Sequence, residues 1–137
     1  MLAEAHSHSS TAGLGQSAED YLEAVLVLGE EKRVVRVKDL SERLRVSKPS
    51  VVAALAKLER KGLARHERYG GIELTPRGRR VAQETDRRHR LVKAFLVRVL
   101  GVREATANHD ACRIEHSLSP ETVARLVEFV QRRGERV

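Results

Sequence analysis

Between Val37 and Thr75 the hydrophobic period of the sequence changes from that of a helix to that of a strand, and that change narrows the possible folds more than any other feature. Val37, Leu40 and Leu44 recur on one side of a short helix, VKDLSERL, after which Arg45 and Val46 make a turn. Ser47 is then placed to cap a second helix, SKPSVVAALAKLERKGL, whose first turn tolerates Pro49 because no N–H donor is needed there. Val51, Leu55 and Leu58 form its inner stripe and Gly62 ends it. Two short helices with a tight turn, the second opening on small polar residues and a lysine, form the helix-turn-helix pattern, although any pair of packed helices can share it. The period next drops to two. Residues 63–67 (LARHE) and 71–75 (GIELT) flank a tip at Arg68, Tyr69, Gly70 and Gly71, as a β-hairpin requires. A basic hairpin straight after the second helix is a wing. Arg65, His66 and Arg68 on it are suited to phosphates beside the groove that the helix enters, contacts that add affinity without reading sequence.

The charge distribution points to the same partner. Lys and Arg total 26 against 19 Asp and Glu, for a net charge of +7. The stretch from Lys57 to Arg90 holds 11 basic and 5 acidic residues, so a polyanion is its natural partner, although a solvated surface would read the same way. Aromatic residues make up 3% of the chain and Trp is absent, leaving little to stack on unpaired bases, so duplex is favoured over single-stranded nucleic acid. The longest apolar run, Val51 to Ala56, is far short of the roughly 20 residues of a bilayer-spanning helix. Residues 1–16 carry neither a basic leader nor an apolar stretch. They are expected to form a disordered tail on a cytoplasmic protein, with His6 and His8 solvated. The single cysteine, Cys112, rules out an intrachain disulfide.

Outside the helix-turn-helix the pattern is helical throughout. Ser17 is expected to cap a helix over about Ala18 to Glu31, with Leu22, Val25, Leu26 and Leu28 inward and Asp20 at N3, where a carboxylate has an ordinary capping role. Thr75 and Pro76 start a long helix reaching about Leu100, along which Ala82, Thr85, His89, Val92, Leu96 and Val99 make a seam for a partner helix. A helix over about Ala105 to Leu118 follows, then one capped by Ser119 with Pro120 at N1. Cys112, Glu115 and His116, spaced i, i+3, i+4, bring a thiol, a carboxylate and an imidazole to one helical face. Asp20, Glu23 and His89 are candidates to complete a transition-metal site. Each also has a plain structural reading, as cap, surface charge or hydrogen-bonded core histidine. A mixed O, N and S donor set suits a first-row divalent ion and not Ca2+ or Mg2+.

Taken together, EDYLEAV, VSKPSVVAALAKLERKGL, GIELTPRGRRVA, RRHRLVKAFL and HDACRIEHSLSPETV resemble the diphtheria toxin repressor and manganese transport regulator family of metal-dependent transcriptional repressors, over about Ser17 to Val130. The resemblance implies a mainly α fold: a winged helix-turn-helix DNA-binding domain over 17–75 and a helical dimerisation and metal-binding domain over 76–137. It also implies a homodimer paired through the long helix and the carboxy-terminal helices, with the effector site between the two lobes. By position, Asp20, Glu23, His89, Glu115 and His116 match manganese-type ligands, with Glu23 and Glu115 placed to bridge two ions. Cys112 departs, because the manganese branch has a carboxylate there and the iron branch a cysteine. Asp20 departs the other way, since the iron branch has methionine at its position. Exchanging carboxylate for thiolate moves preference from Mn2+ towards Fe2+, Co2+ or Zn2+. Fe2+ or Mn2+ is therefore the expected effector, with Co2+ or Zn2+ binding in vitro. Lys93 at a carboxylate position and a displaced His109 imply loss of the iron branch's ancillary site. Ending near Val137 without an SH3-like third domain points to the compact manganese-regulator architecture.

The expected mechanism is co-repression. Metal would join Asp20 and Glu23 to His89, Cys112, Glu115 and His116, selecting the recognition-helix spacing that fits a palindromic operator. Ser47, Lys48, Pro49 and Ser50 would open the recognition helix onto bases or phosphates, Val52 and Ala53 would meet thymine methyls, and Lys57 and the wing residues Arg65 and Arg68 would hold the backbone. Two alternatives remain at this point: a winged-helix regulator answering to a non-metal ligand, and a small metalloenzyme using metal-bound water with Glu23 or Glu115 as base.

Overall fold

In the computed structural model of the chain, residues 16–68 and 70–133 are described. The tail with His6 and His8, and Tyr69 at the hairpin tip, lie outside them. The described chain runs α1 (Gln16–Glu31), α2 (Val37–Leu44), α3 (Lys48–Arg60), β1 (Ala64–His66), β2 (Ile72–Leu74), α4 (Pro76–Ala94), α5 (Glu104–Ile114) and α6 (Pro120–Arg132). It is mainly helical, with one two-stranded antiparallel sheet. Two compact units divide it, and the boundary falls between Gln83 and Glu84, inside α4.

The amino-terminal unit is the winged helix. Arg45 makes the tight turn between α2 and α3 with φ 57°, a left-handed conformation that non-glycine residues rarely adopt. Ser41 Oγ donates to Val46 O at 2.6 Å across it. Ser47 caps α3 as expected, its Oγ accepting the Ser50 N–H at 3.2 Å, with proline in the first turn. In the hairpin Ala64 pairs with Leu74, Arg65 with Glu73 and His66 with Ile72. Val35 adds a bridge that the sequence pattern does not reveal: its carbonyl accepts the Ile72 N–H at 2.8 Å, tying the segment before α2 to the wing. The core of this unit gathers Leu22, Val25 and Leu28 of α1, Leu40 of α2, Val51, Leu55 and Leu58 of α3, Leu63 and Ile72 of the hairpin region, and Val81 and Ala82 of α4. Burial of Val81 and Ala82 here explains why the unit extends past the start of α4. Gly78 is required where α4 crosses the hairpin base, because a Cβ there would collide with the Leu63 carbonyl oxygen, which already accepts the Thr75 N–H.

The start of α1 differs from expectation. Ser17 lies within the helix and does not cap it, because Gln16 is already helical. Glu19 is the carboxylate of the first turn, so Asp20 sits beyond the N3 position expected for it.

The carboxy-terminal unit packs the second part of α4 against α5 and α6, with Leu91, Val123 and Val130 at its centre and Leu118, Leu126 and Val127 around them. The expected single helix to Leu100 is interrupted: Phe95–Val99 forms a π-helical turn, with the Leu100 N–H donating to Phe95 O at 3.3 Å. Phe95 meets Phe129 of α6 edge-on, ring centroids 5.8 Å apart. Gly101 ends the run at φ 74°. The next helix also stops earlier than the sequence suggests. α5 ends at Ile114, and Glu115–Ser117 makes one 3-10 turn before Leu118 turns extended and Ser119 caps α6. A residue ahead of proline is disfavoured in helical backbone, so the chain must leave helix before Ser119-Pro120.

Candidate metal centre and nucleic-acid face

Within the carboxy-terminal unit, the side chains expected from His89, Cys112, Glu115 and His116 come together. The Glu115 carboxylate is fully buried, and an isolated buried carboxylate is strongly disfavoured. Each of its oxygens instead meets an imidazole. Oε2 lies 2.8 Å from His89 Nδ1, on α4, and Oε1 lies 3.4 Å from His116 Nε2, on the adjoining residue. Cys112 Sγ stands 3.7 Å from the same His89 Nδ1. The 3-10 turn therefore does not scatter the expected trio, because its tighter winding still leaves Glu115 and His116 next to the last turn of α5.

His89 has a partner on its other edge that sequence reading missed. Its Nε2 lies 2.8 Å from Asn108 Oδ1. The available signal was periodic: Asn108, Cys112 and Glu115 fall at i, i+4 and i+7, one helical stripe begun a turn earlier than the trio. The hydrogen bonds from Cys112 and then Glu115 push the His89 pKa up to about 11, against the opposing effect of burial. His89 is then an imidazolium that donates both ring N–H groups, one to Glu115 and one to Asn108.

These donors suit a divalent first-row ion. A buried carboxylate between two imidazoles with a thiol alongside offers O, N and S ligands, and the proton on His89 Nδ1 occupies the place of a positive charge. Lys93 and His109 take other roles, Lys93 facing Glu104 at 3.9 Å and the mostly exposed His109 lying 3.8 Å from Asp110. In the amino-terminal unit, Asp20 and Glu23 lie on α1 three residues apart, hence on one side of the helix, and both are half-buried.

The residues expected to meet DNA occupy the outer side of the same winged helix. Lys48, Pro49, Ser50, Val52, Ala53 and Lys57 are exposed along α3, opposite buried Val51, Leu55 and Leu58. Val52 is 49% exposed, unusual for a valine inside a helix. Arg65 on β1 and Arg68 beyond it are exposed as well. Glu59 Oε2 accepts the His66 N–H at 3.0 Å and so fixes the wing to the end of α3. No helix of the described residues is long and apolar enough to cross a membrane.

Comparison with known proteins covers both units. Residues 13–72 match the family model for the iron dependent repressor N-terminal DNA binding domain, and residues 75–135 match that for the iron dependent repressor metal binding and dimerisation domain. An uncharacterised HTH-type transcriptional regulator of Methanocaldococcus jannaschii is 40% identical over 90% of this chain and 100% of its own. The HTH-type transcriptional regulator MntR of Geobacillus thermodenitrificans is 40% identical over 84% of this chain and 81% of its own. A solved manganese-dependent transcriptional repressor in complex with manganese superposes with a TM-score of 0.78 at 36% identity, covering 83% of this chain. This chain spans about half of that structure's length, 52%.

Proposed function

Because the chain belongs to the iron-dependent repressor family of metal-dependent transcriptional repressors, we propose that it represses metal-homeostasis genes in the cytoplasm when Fe2+ or Mn2+ occupies a centre built around Glu115. The family is one of repressors and not of enzymes, so the metalloenzyme alternative falls, and its dependence on metal removes the non-metal regulator. The observation that carries the reading is the buried Glu115 carboxylate with His89 and His116 on its two oxygens and Cys112 beside His89.

The ligand set we propose is Asp20, Glu23, His89, Cys112, Glu115 and His116, with Glu23 and Glu115 as the carboxylates able to bridge two ions. When bound, a divalent cation would supply the positive charge that these carboxylates and imidazoles need in order to share one centre. His89 must surrender its Nδ1 proton to take part. Glu115, relieved of that hydrogen bond, could then hold the ion, with Asp20 and Glu23 as the ligands that α1 would contribute. Without the ion this centre would not be held together, so the recognition helices of a homodimer would sample several spacings. Occupancy selects one.

The operator that fits is a palindrome, each half-site read by one α3. Lys48, Lys57, Arg65 and Arg68 neutralise phosphates, Ser47 and Ser50 offer hydroxyls, Pro49 fixes the helix start, and exposed Val52 and Ala53 favour thymine methyls. Pairing of two copies is supported by the apolar far end of the long helical run, where Leu96 and Val99 are half-buried and Leu100 is 60% exposed. Titration calorimetry with Mn2+, and with Fe2+ under anaerobic conditions, tests the reading: a saturable heat that disappears in Glu115→Ala supports it, and no saturable heat from the native chain overturns it.

A further inference from the structure

We propose that Asn108 is a positioning residue for the metal centre, its side-chain oxygen fixing His89 so that Nδ1 is the nitrogen presented to the cation. The inference rests on the metal-sensor reading above and adds a residue that reading does not contain.

The argument starts from what an imidazole can do. A neutral ring has one N–H and one lone pair, so whichever nitrogen is committed as donor leaves the other as the ligand. Asn108 Oδ1 can only accept, and at 2.8 Å from His89 Nε2 it commits that nitrogen to carrying hydrogen. The lone pair of the neutral ring then falls on Nδ1, the edge faced by the Glu115 carboxylate at 2.8 Å and the Cys112 sulfur at 3.7 Å. Backbone geometry makes this arrangement rigid. Asn108 and Cys112 lie one turn apart on the same stripe of α5, so the helix holds one edge of the ring with the amide and aligns the other with the thiol and Glu115.

An amide is a specific choice for this place. A carboxylate would accept the same hydrogen but add negative charge and draw the proton, making the ring a stronger base. Asn108 orients the ring without adding to the negative charge that the carboxylates already supply. If the amide were turned to donate through Nδ2, hydrogen would sit on Nδ1 and the lone pair would face away from Glu115, so the two amide orientations predict opposite ligating nitrogens.

The test uses the full chain labelled with 15N-histidine. Long-range 1H–15N correlation spectra of the Zn2+-loaded protein should show His89 with hydrogen on Nε2 and metal on Nδ1. Competition titration with Mn2+ should show affinity reduced roughly tenfold or more in Asn108→Ala, the range found when such outer partners are removed. Because Asn108 is exposed, that variant should keep the native far-ultraviolet circular dichroism. Asn108→Asp, which retains the acceptor, should restore both the Nε2–H signal and the affinity. Metal on Nε2 in the native protein overturns the proposal, as does native-like Mn2+ affinity in Asn108→Ala or failure of Asn108→Asp to rescue. A native chain that takes up neither Zn2+ nor Mn2+ overturns the sensor reading itself and this inference with it, whereas uptake unchanged by Asn108→Ala removes this inference alone.

Discussion

His89 Nδ1 and Glu115 Oε2 lie 2.8 Å apart, joining α4 to the turn that follows α5 through one charge-assisted hydrogen bond. Replacing Glu115 with Gln keeps its volume and removes its charge. The variant should lose Mn2+ affinity by at least the roughly 10–100-fold seen on removing outer partners of metal ligands. Calorimetric titration checks this, and a native-like isotherm would remove Glu115 from the centre.

The same contact sets two pH dependences of opposite sign. His89 is raised from 6.5 to about 11, by its hydrogen bonds to Cys112 and then Glu115. Its contribution to apo stability is therefore fully present below pH 6.5 and is lost as pH rises through about 11. Thermal melts should show apo His89→Gln less stable than the native chain at neutral pH, with the gap closing in alkali. Metal must displace that proton, so Mn2+ affinity should instead rise with pH, with proton release. Calorimetry in two buffers of different ionisation enthalpy measures the release, which should be smaller in His89→Gln.

As a proposed ligand, Cys112 is expected to set which metal is preferred. With Co2+, the native chain should show a near-ultraviolet thiolate-to-metal charge-transfer band that Cys112→Ser lacks. Cys112→Glu should raise the ratio of Mn2+ to Zn2+ affinity, because a carboxylate is a harder ligand than a thiolate. An identical Co2+ spectrum in Cys112→Ser would show that the thiol stays outside the coordination sphere.

Gly78 carries the packing of α4 on the hairpin base. Gly78→Ala drives a Cβ into the Leu63 carbonyl oxygen, which is backbone and cannot rotate aside. Unfolding in urea should show a loss of about 1–3 kcal/mol, the usual cost of overpacking. An unchanged midpoint would mean that α4 can shift at no cost.

The wing is expected to hold DNA through phosphates. Arg65→Ala and Arg68→Ala should each weaken binding to all duplexes alike and reduce the salt slope by about 1. Val52→Ala should instead relax preference for particular bases, as measured by selection from a random duplex pool.

Much of this architecture was legible in the sequence because local rules and tertiary packing agree. Ser47 and Pro49 start α3, Val51, Leu55 and Leu58 fill the core, and Ala64 pairs with Leu74 across a glycine-containing turn. Where local rules misled, tertiary context had intervened. Ser17 looks like a cap, yet the helix is already formed at Gln16. The period through Leu96 and Val99 continues that of α4, but Phe95 meets Phe129 within a π turn that periodicity does not reveal. Val35 has no strand pattern around it because a single bridge needs none. The trio of Cys112, Glu115 and His116 was visible from spacing, whereas Asn108 left only the weaker trace of extending the same stripe by one turn, and an asparagine on an exposed helix face looks like any surface residue until its partner His89 is known.

The most direct test of the central claim is fluorescence anisotropy of a labelled duplex, selected from a random pool by the metal-loaded protein, titrated with the full chain. We predict tight binding in Mn2+ or Fe2+, loss of that binding on chelation, and weak binding by Glu115→Gln whether or not metal is present. Equal affinity with and without metal would contradict the account.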